Sequence, residues 1–232
     1  MLDKIQKANV PVLISFSICP FVQRSAILLE EKQQAYERIN IDLANKPEWF
    51  LQLSPTGRVP ALVVKDDNAN PTTLFESAVI NEYLDEAFGT PLLAGTSLEK
   101  ASMRAWISYS ETLIGLQYKL MLATQSDDFA DKLTQFVSAL KKLKPAPGKP
   151  FFNGVAFSLV DVAVAPVFTR LKWLPHVTLQ LQQEAKTQPD SAALLNWINH
   201  LSNYPAVKQS VSQSFDNDFV NYFKQRNSFA LK

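Results

Sequence analysis

Cysteine and histidine are nearly absent from this sequence: its 232 residues include one cysteine, Cys19, and two histidines, His176 and His200. A single cysteine excludes a disulfide within the chain, and so few thiol and imidazole ligands make a zinc site implausible. We therefore expect no metal cofactor. Any chemistry of Cys19 must proceed without a second thiol from the same chain, and neither histidine can be assigned as a catalytic base.

Net charge and long apolar runs are also scarce. The 23 basic and 22 acidic residues give a net charge of +1, and there is no long basic run that would attract nucleic acid. No segment approaches the roughly 18 consecutive apolar residues that span a bilayer, and the first ten residues lack the apolar core of a secretory signal. We therefore expect a cytoplasmic globular protein that binds neither nucleic acid nor a membrane.

Periodicity in the first half of the chain predicts an α/β domain over residues 1–88. Short strand-like runs alternate with amphipathic helices, and the turn sequence DNAN joins the last two strands into a hairpin. The elements follow the order β-α-β-α-β-β-α. The strands are predicted at 11–16, 35–43, 60–66 and 71–75, and the helices at 20–32, 47–53 and 76–87.

The sequence pattern of the second half predicts helices and no strands. A linker at 89–97 holds two glycines and a proline, and no convincing strand follows it. An all-helical domain is therefore predicted over residues 98–232. The sequence SLVD, beginning at Ser158, has the pattern of a capping box in which Asp161 reaches back to the helix start, and Pro166 should kink that helix. The helices are predicted at about 98–124, 127–143, from 158 onward and near 190–203.

The chemical signal is concentrated at SICPFVQR, residues 17–24. Cys19 lies between a strand and a helix, where unpaired backbone N–H groups and the helix dipole favour a thiolate and lower the pKa of the thiol. Pro20 suits the first helical position, because it has no N–H to leave unpaired there. Most lone cysteines are small buried hydrophobes, but the position of Cys19 favours a reactive thiol.

Three stretches of the first half carry a family resemblance: CPFVQRSAILLEEK, IDLANKPEWFLQLSPTGRVPALV and LFESAVINEYLDEAF. They resemble the amino-terminal domain of glutathione transferases, and within them the omega class and the plant dehydroascorbate reductases. In the second half, SLVDVAVAP and LNWINHLSNYPAV are similar to cytosolic glutathione transferases in general. The resemblance implies a thioredoxin-like first domain followed by an all-helical domain, glutathione as cosubstrate, and a homodimer.

The resemblance also implies a glutathione site. Val59 would pair its backbone N–H and C=O with the cysteinyl part of glutathione, next to a cis Pro60, and Phe21 would be a further contact. An ordinary loop proline is the alternative for Pro60.

The two ends of glutathione have candidates of their own. Glu76 and Ser77 open a helix where the γ-glutamyl ammonium and carboxylate could bind, although Ser77 could instead be a capping residue beside a favourable first-turn charge. Lys46 resembles the family lysine that meets the glycine carboxylate, and a solvated surface lysine is the alternative.

A cysteine at this junction changes the expected chemistry. Most glutathione transferases use a tyrosine or serine hydroxyl there and conjugate glutathione to electrophiles. A cysteine thiolate instead attacks disulfides, so the resemblance implies thiol transfer, deglutathionylation and dehydroascorbate reduction. Val22 occupies the position of a second glutaredoxin-like cysteine, so the mechanism is expected to be monothiol, with a small disulfide or electrophile as the second substrate.

Other functions on the same fold stay open. A chloride-intracellular-channel-like protein shares the CPF region, and a regulatory protein resembling the stringent starvation protein shares the fold.

In the second half, four aromatic residues could line an electrophile site, but core packing is favoured for each one: Trp106, Tyr109, Tyr118 and Trp173. An apolar stripe near the end of the chain could cover that site or act as a stabilising lid; it comprises Phe215, Phe219, Tyr222 and Phe223.

Overall fold

The computed structural model describes residues 1–232, which divide into two compact units. The first unit comprises Met1–Pro91 and Gln209–Ser212, and the second comprises Leu92–Lys208 and Gln213–Lys232. A four-residue segment near the carboxyl end therefore belongs to the first unit. The predicted division at residues 88 and 98 placed that segment in the helical domain.

The first unit is a four-stranded mixed sheet with four helices. The strand order is β2-β1-β3-β4; β2 is parallel to β1, and β3 is antiparallel to both β1 and β4. Together with the helical second unit, this confirms the predicted fold class. The strands are β1 (Val12–Ser15), β2 (Glu37–Asn40), β3 (Ala61–Lys65) and β4 (Pro71–Phe75), and the helices are α1 (Leu2–Lys7), α2 (Pro20–Glu31), α3 (Glu48–Leu53) and α4 (Ser77–Ala87).

The two inner strands of the sheet, β1 and β3, are apolar on both faces, so helices cover the sheet on both sides. Every residue of β1 is buried, and all of β3 is buried except its last residue. Val12 and Ile14 alternate with Leu13, so they share the face on which Ile5 of α1 and Phe50 of α3 complete a core cluster. On the other side, α2 and α4 pack against each other and against the strands. The edge strands β2 and β4 are more exposed.

Two elements of the first unit differ from the prediction. The helix α1 was not predicted, because it is only six residues long and buries only Ile5, too little for a helical period to show. The strand β2 is shorter than the predicted 35–43. It pairs only with the four residues of β1, from Val12 opposite Glu37 to Ser15 opposite Asn40.

The segment 209–212 joins the first unit through Ser210. The Gln23 side-chain amide donates to the Ser210 hydroxyl over 3.2 Å, and Arg38 donates to the Ser210 carbonyl over 2.8 Å. Arg38 also donates to the Tyr36 hydroxyl, which donates to Glu30. Burial and the neighbouring Glu30 raise the pKa of Tyr36 to about 12, although Arg38 opposes the shift.

The second unit contains helices joined by turns, as predicted. No helix of the structure combines the length and the apolar character that crossing a membrane requires. The short helices α8 and α10 were not predicted, because few of their residues are buried. The helices are α5 (Ser97–Met121), α6 (Ser126–Leu140), α7 (Leu159–Thr169), α8 (Pro175–Glu184), α9 (Pro189–Asn203), α10 (Pro205–Gln209) and α11 (Phe215–Lys224), with 3-10 turns at Leu171–Trp173 and Phe229–Leu231.

Candidate active site

Strand register brings the sequence-predicted site segments to one end of the sheet. Ile14 pairs with Ala61, and Ala61 pairs with Phe75, so the end of β1, the start of β3 and the end of β4 are neighbours. The parallel strand β2 ends there too, with Asn40 opposite Ser15. Four candidate positions follow or precede these strand ends in the chain: Cys19 after β1, Lys46 after β2, Val59–Pro60 before β3 and Glu76–Ser77 after β4.

Cys19 is the N-cap residue of α2. Its N–H donates to the carbonyl of Phe16 over 2.9 Å, and its carbonyl accepts from the N–H of Gln23 over 3.1 Å. Pro20 occupies the first helical position, as predicted, and the first turn contains no acidic residue that would oppose a thiolate. Cys19 is partly exposed, so it is not one of the fully buried residues of the core.

Three consecutive polar residues that follow Cys19 on α2 are buried, and their burial was not predicted: Gln23, Arg24 and Ser25. Gln23 is 3% exposed, and Arg24 is fully buried. The Arg24 guanidinium lies over the ring of Phe21, 5.1 Å from its centroid, so this candidate contact is held by a cation–π interaction. The signal was present in the sequence as three consecutive polar residues, 23–25, within an otherwise apolar stretch of helix.

Val59 precedes a cis peptide bond to Pro60, as the resemblance implies. The turn before it is closed by Ser54, whose hydroxyl donates to the Arg58 carbonyl over 3.0 Å and accepts from the Arg58 N–H over 3.2 Å. None of the hydrogen bonds in the loops and turns uses the N–H or C=O of Val59. This backbone edge can therefore pair with an added strand.

Glu76 and Ser77 form an unusual helix start. Glu76 is the N-cap of α4 and has φ 68° and ψ 116°, a conformation that non-glycine residues rarely adopt and that clusters at functional sites. The capping interpretation of Ser77 is wrong: Ser77 is the first helical residue, and no side chain caps this helix. Its hydroxyl, in a residue only 8% exposed, makes no hydrogen bond within the protein.

Lys46 is exposed and forms no ion pair. Its ammonium lies near Gly57, 3.6 Å from the place that a Cβ atom on that glycine would occupy. Gly57 has φ +59°, so a side chain there would also be strained. The lysine therefore lies against the turn that leads to Val59.

Most of the aromatic residues singled out in the second unit serve packing. Trp106 contacts Tyr109 edge-on at 5.7 Å, and Trp173 stacks on Phe219 with centroids 4.0 Å apart. Tyr118 differs, because it is 44% exposed and its hydroxyl lies 3.0 Å from that of Tyr222. Partial burial and this hydrogen bond raise the pKa of Tyr118 to about 12.

The predicted tail stripe is helical and packs within the second unit. Phe215, Phe219 and Phe223 are buried on one face of α11, and the Arg170 guanidinium lies over the first two rings. Tyr222 is only partly buried. The stripe therefore packs against its own unit. A role in substrate selection remains a prediction.

The capping box at the start of α7 is confirmed. The Asp161 carboxylate accepts from the N–H and hydroxyl of Ser158, from the N–H of Phe152 and, over 2.7 Å, from the Trp197 indole. Burial raises the pKa of Asp161 in spite of these bonds.

The two histidines pack against aromatic rings. His176 contacts Phe129 and His200 contacts Phe151, with centroids 5.8 and 5.0 Å apart. Both histidines are exposed, so these contacts lie at the surface and not in the core.

Comparison with known proteins identifies the family. Residues 18–87 match the family model "Glutathione S-transferase, N-terminal domain". The chain is 34% identical to glutathione S-transferase omega-1 of Sus scrofa over 69% of its own length and 66% of the relative's. It is 36% identical to the probable cytosolic glutathione S-transferase DHAR1 of Oryza sativa subsp. japonica, over 66% of its own length and 67% of the relative's.

A solved structure agrees with these matches. Rice GST1 in complex with glutathione superposes with a TM-score of 0.76 at 25% identity, covering 94% of this chain and 99% of the rice protein. The sequence matches reach about two thirds of each curated relative, and the structural match extends over both units. This chain therefore belongs to the glutathione S-transferase family.

Proposed function

We propose that this chain is a glutathione-dependent thiol transferase of the omega and dehydroascorbate reductase type, with Cys19 as its only catalytic thiol. One observation carries the proposal: a partly exposed cysteine caps a helix at the sheet end where an unused backbone edge and an unbonded serine hydroxyl also lie. A helix N-terminus favours the thiolate, which is the attacking species in disulfide exchange.

The chemistry needs one protein thiol and two glutathione molecules. The Cys19 thiolate attacks the glutathione sulfur of a mixed disulfide, the S–S bond breaks, and the substrate thiolate leaves and takes a proton from water. The product is a Cys19–glutathione disulfide. A free glutathione thiolate then attacks the glutathione sulfur, the S–S bond to Cys19 breaks, and oxidised glutathione leaves with the Cys19 thiolate restored. In the net reaction, the mixed disulfide and one glutathione thiol become the substrate thiol and oxidised glutathione.

Binding of glutathione is assigned to groups that the protein itself leaves unused. The hydroxyl of Ser77 and the N–H groups at the start of α4 would hold the γ-glutamyl carboxylate, and the exposed Glu76 would attract the ammonium. The edge of Val59 would pair with the cysteinyl unit, and Phe21 would contact it. Lys46, which has no ion pair, would meet the glycine carboxylate.

The second substrate is proposed from the relatives. A rice protein named DHAR1 is among them, so dehydroascorbate, which accepts two electrons and two protons, is a candidate alongside small disulfides and electrophiles. The names of both relatives describe glutathione S-transferases, and this favours the enzyme over the channel-like and regulatory alternatives.

We further propose a cytoplasmic homodimer. Three large apolar side chains of the first unit are strongly exposed for a monomer, and they would be covered by a second copy: Leu51 at 51%, Phe75 at 40% and Val79 at 55%. Val79→Asp should then convert the dimer to a monomer in sedimentation velocity. A monomeric wild type would contradict this proposal.

The reduction of hydroxyethyl disulfide by glutathione tests the function. We expect Cys19→Ser to lower the turnover number by roughly 1,000-fold, because a serine hydroxyl cannot form the mixed disulfide. A melting temperature equal to that of the wild type would show that the variant is folded. Wild-type protein without activity, or a fully active Cys19→Ser variant, would rule out the proposed mechanism.

A further inference from the structure

The two helices that begin at the candidate site are joined, away from it, by two buried polar contacts. The Ser25 hydroxyl of α2 donates to the side-chain oxygen of Asn81 on α4 over 2.8 Å, and these residues are 0% and 5% exposed. Farther along, the Lys32 ammonium pairs with the Asp85 carboxylate over 2.8 Å, with side chains 3% and 2% exposed. Polar contacts this deeply buried are rare in an interface between two amphipathic helices.

Helical spacing places these contacts on facing sides of the two helices. Ser25 and Lys32, the C-cap residue of α2, are two helical turns apart and so lie on the same side of that helix. On α4, residues 77, 81 and 85 recur at intervals of one turn and form a single stripe. The hydroxyl of Ser77 is therefore the first member of a polar stripe whose other two members are bonded to α2.

The two contacts differ in what they hold. Lys32 also donates to the backbone carbonyls of Asp85 and Thr90. It therefore binds the carboxyl-terminal part of α4 and the segment that follows this helix. The bond from Ser25 to Asn81 lies one turn from Ser77 and is the polar contact nearer to the site. Because a hydrogen bond tolerates little change in length or angle, it defines the axial register of the two helices more sharply than apolar contacts do.

That register matters for the proposed function, on which this inference rests. Glutathione would have to reach Cys19, at the start of α2, with its sulfur while its γ-glutamyl carboxylate is held at Ser77, at the start of α4. The distance between these two points depends on how far one helix is shifted along the other. A small shift would leave each group intact but would misplace the sulfur.

We propose that Ser25 and Asn81 are positioning residues, which set the spacing between the Cys19 thiol and the Ser77 hydroxyl. They touch neither reactant. Their contribution should therefore appear in reactions that need both ends of the site and be absent from reactions that need Cys19 alone.

The double variant Ser25→Ala/Asn81→Leu provides the test. Removing both partners leaves no buried polar group unsatisfied, so the melting temperature should stay close to that of the wild type. We expect kcat/KM for glutathione in disulfide reduction to fall by about 10- to 100-fold. Alkylation of Cys19 by iodoacetamide, which does not need Ser77, should keep its wild-type rate within about two-fold, by the same argument.

Two further variants sharpen the result. Ser25→Asn/Asn81→Ser reverses the pair at constant volume and should restore most of kcat/KM. Gln117→Met removes a buried hydrogen bond in the second unit, from Gln117 to the Val167 carbonyl over 2.9 Å, and should leave kcat/KM unchanged. If the apolar double variant does not fold, Asn81→Ser replaces it, because the shorter side chain cannot reach the Ser25 hydroxyl in the same way. We again expect a lower kcat/KM for glutathione with an unchanged rate of Cys19 alkylation.

Several results would overturn the inference. One is wild-type kcat/KM in the double variant; another is a parallel loss of alkylation and turnover, which would indicate a general disturbance of α2. A reversed pair that folds but restores nothing would also contradict it. A wild-type protein without glutathione-dependent turnover would instead overturn the proposed function, and this inference with it.

Discussion

Ser77 and Ser158 lie at the starts of helices in different units, but only the hydroxyl of Ser158 has a hydrogen-bond partner within the protein. The Ser158 hydroxyl donates to Asp161, three residues later, whereas the corresponding position after Ser77 is Ile80 and the hydroxyl of Ser77 has no partner. In the second unit the capping network is closed by its own side chains. In the first unit, the hydroxyl of Ser77 and the backbone edge of Val59 make no hydrogen bond within the protein.

The aromatic residues follow the same division. In the second unit, rings stack on one another around Trp173 and Trp197, with cations and carboxylates as partners. In the first unit, the candidate site combines a thiol, a hydroxyl, an ammonium and a backbone edge. Packing contacts therefore dominate the second unit, whereas the first unit has a thiol and unbonded polar groups at one end of its sheet.

Phe219→Ala should show the largest effect, on stability. Truncating a buried ring that stacks on Trp173 should lower the free energy of unfolding by about 3–5 kcal/mol. Asn221→Ala, at an exposed position of the same helix, is the control and should change little. Denaturant unfolding measures both, and a loss below about 1 kcal/mol for Phe219→Ala would mean that α11 contributes little to packing.

Ser77→Ala should affect glutathione binding and leave folding nearly intact. Losing a hydrogen bond to a charged group should cost about 1.5–3 kcal/mol, a rise of roughly 10- to 150-fold in the KM for glutathione. Ser126→Ala is a matched control, since Ser126 is also the first residue of an uncapped helix, α6. An unchanged KM with a lowered melting temperature would show that Ser77 serves the helix instead.

The pKa of the Cys19 thiol determines how much of it is present as the reactive thiolate. Because the thiol lies at a helix start with no acidic residue in the first turn, its pKa should lie below the free-thiol value of about 8.5. The pH dependence of alkylation by iodoacetamide measures this, with free glutathione as reference. A midpoint at or above about 8.5 would contradict the thiolate mechanism.

Lys46→Met should show the smallest effect. An exposed ammonium that meets a ligand carboxylate contributes about 0.2–1 kcal/mol, so the KM for glutathione should rise by less than about six-fold. The difference from the wild type should shrink as salt is added. Lys119→Met, at another exposed lysine, should not change the KM. A salt-independent effect, or none at all, would remove Lys46 from the proposed site.

Much of the first unit was predictable from the sequence because its signals are local. Apolar runs marked β1 and β3, and the Cys19-Pro20 pair marked the start of α2. The short helix α1 and the length of β2 were not predictable, since one buried residue gives no period and the length of an edge strand depends on its partner. The boundary of α5 was also missed by one residue: Thr96 and Glu99 form a capping box that starts the helix at Ser97.

The chemistry that is available can be read from the amino-acid sequence: one thiol, no second cysteine, a proline that starts a helix, and the segments that carry the family resemblance. Which of these groups come together depends on the folded chain. Strand pairing sets the ends of β1, β3 and β4 side by side, and Ser25 and Ser210 bond to residues distant in the chain. Local periodicity reports only which face of an element is apolar. Whether a polar group is satisfied depends on contacts between elements, which form when the chain folds.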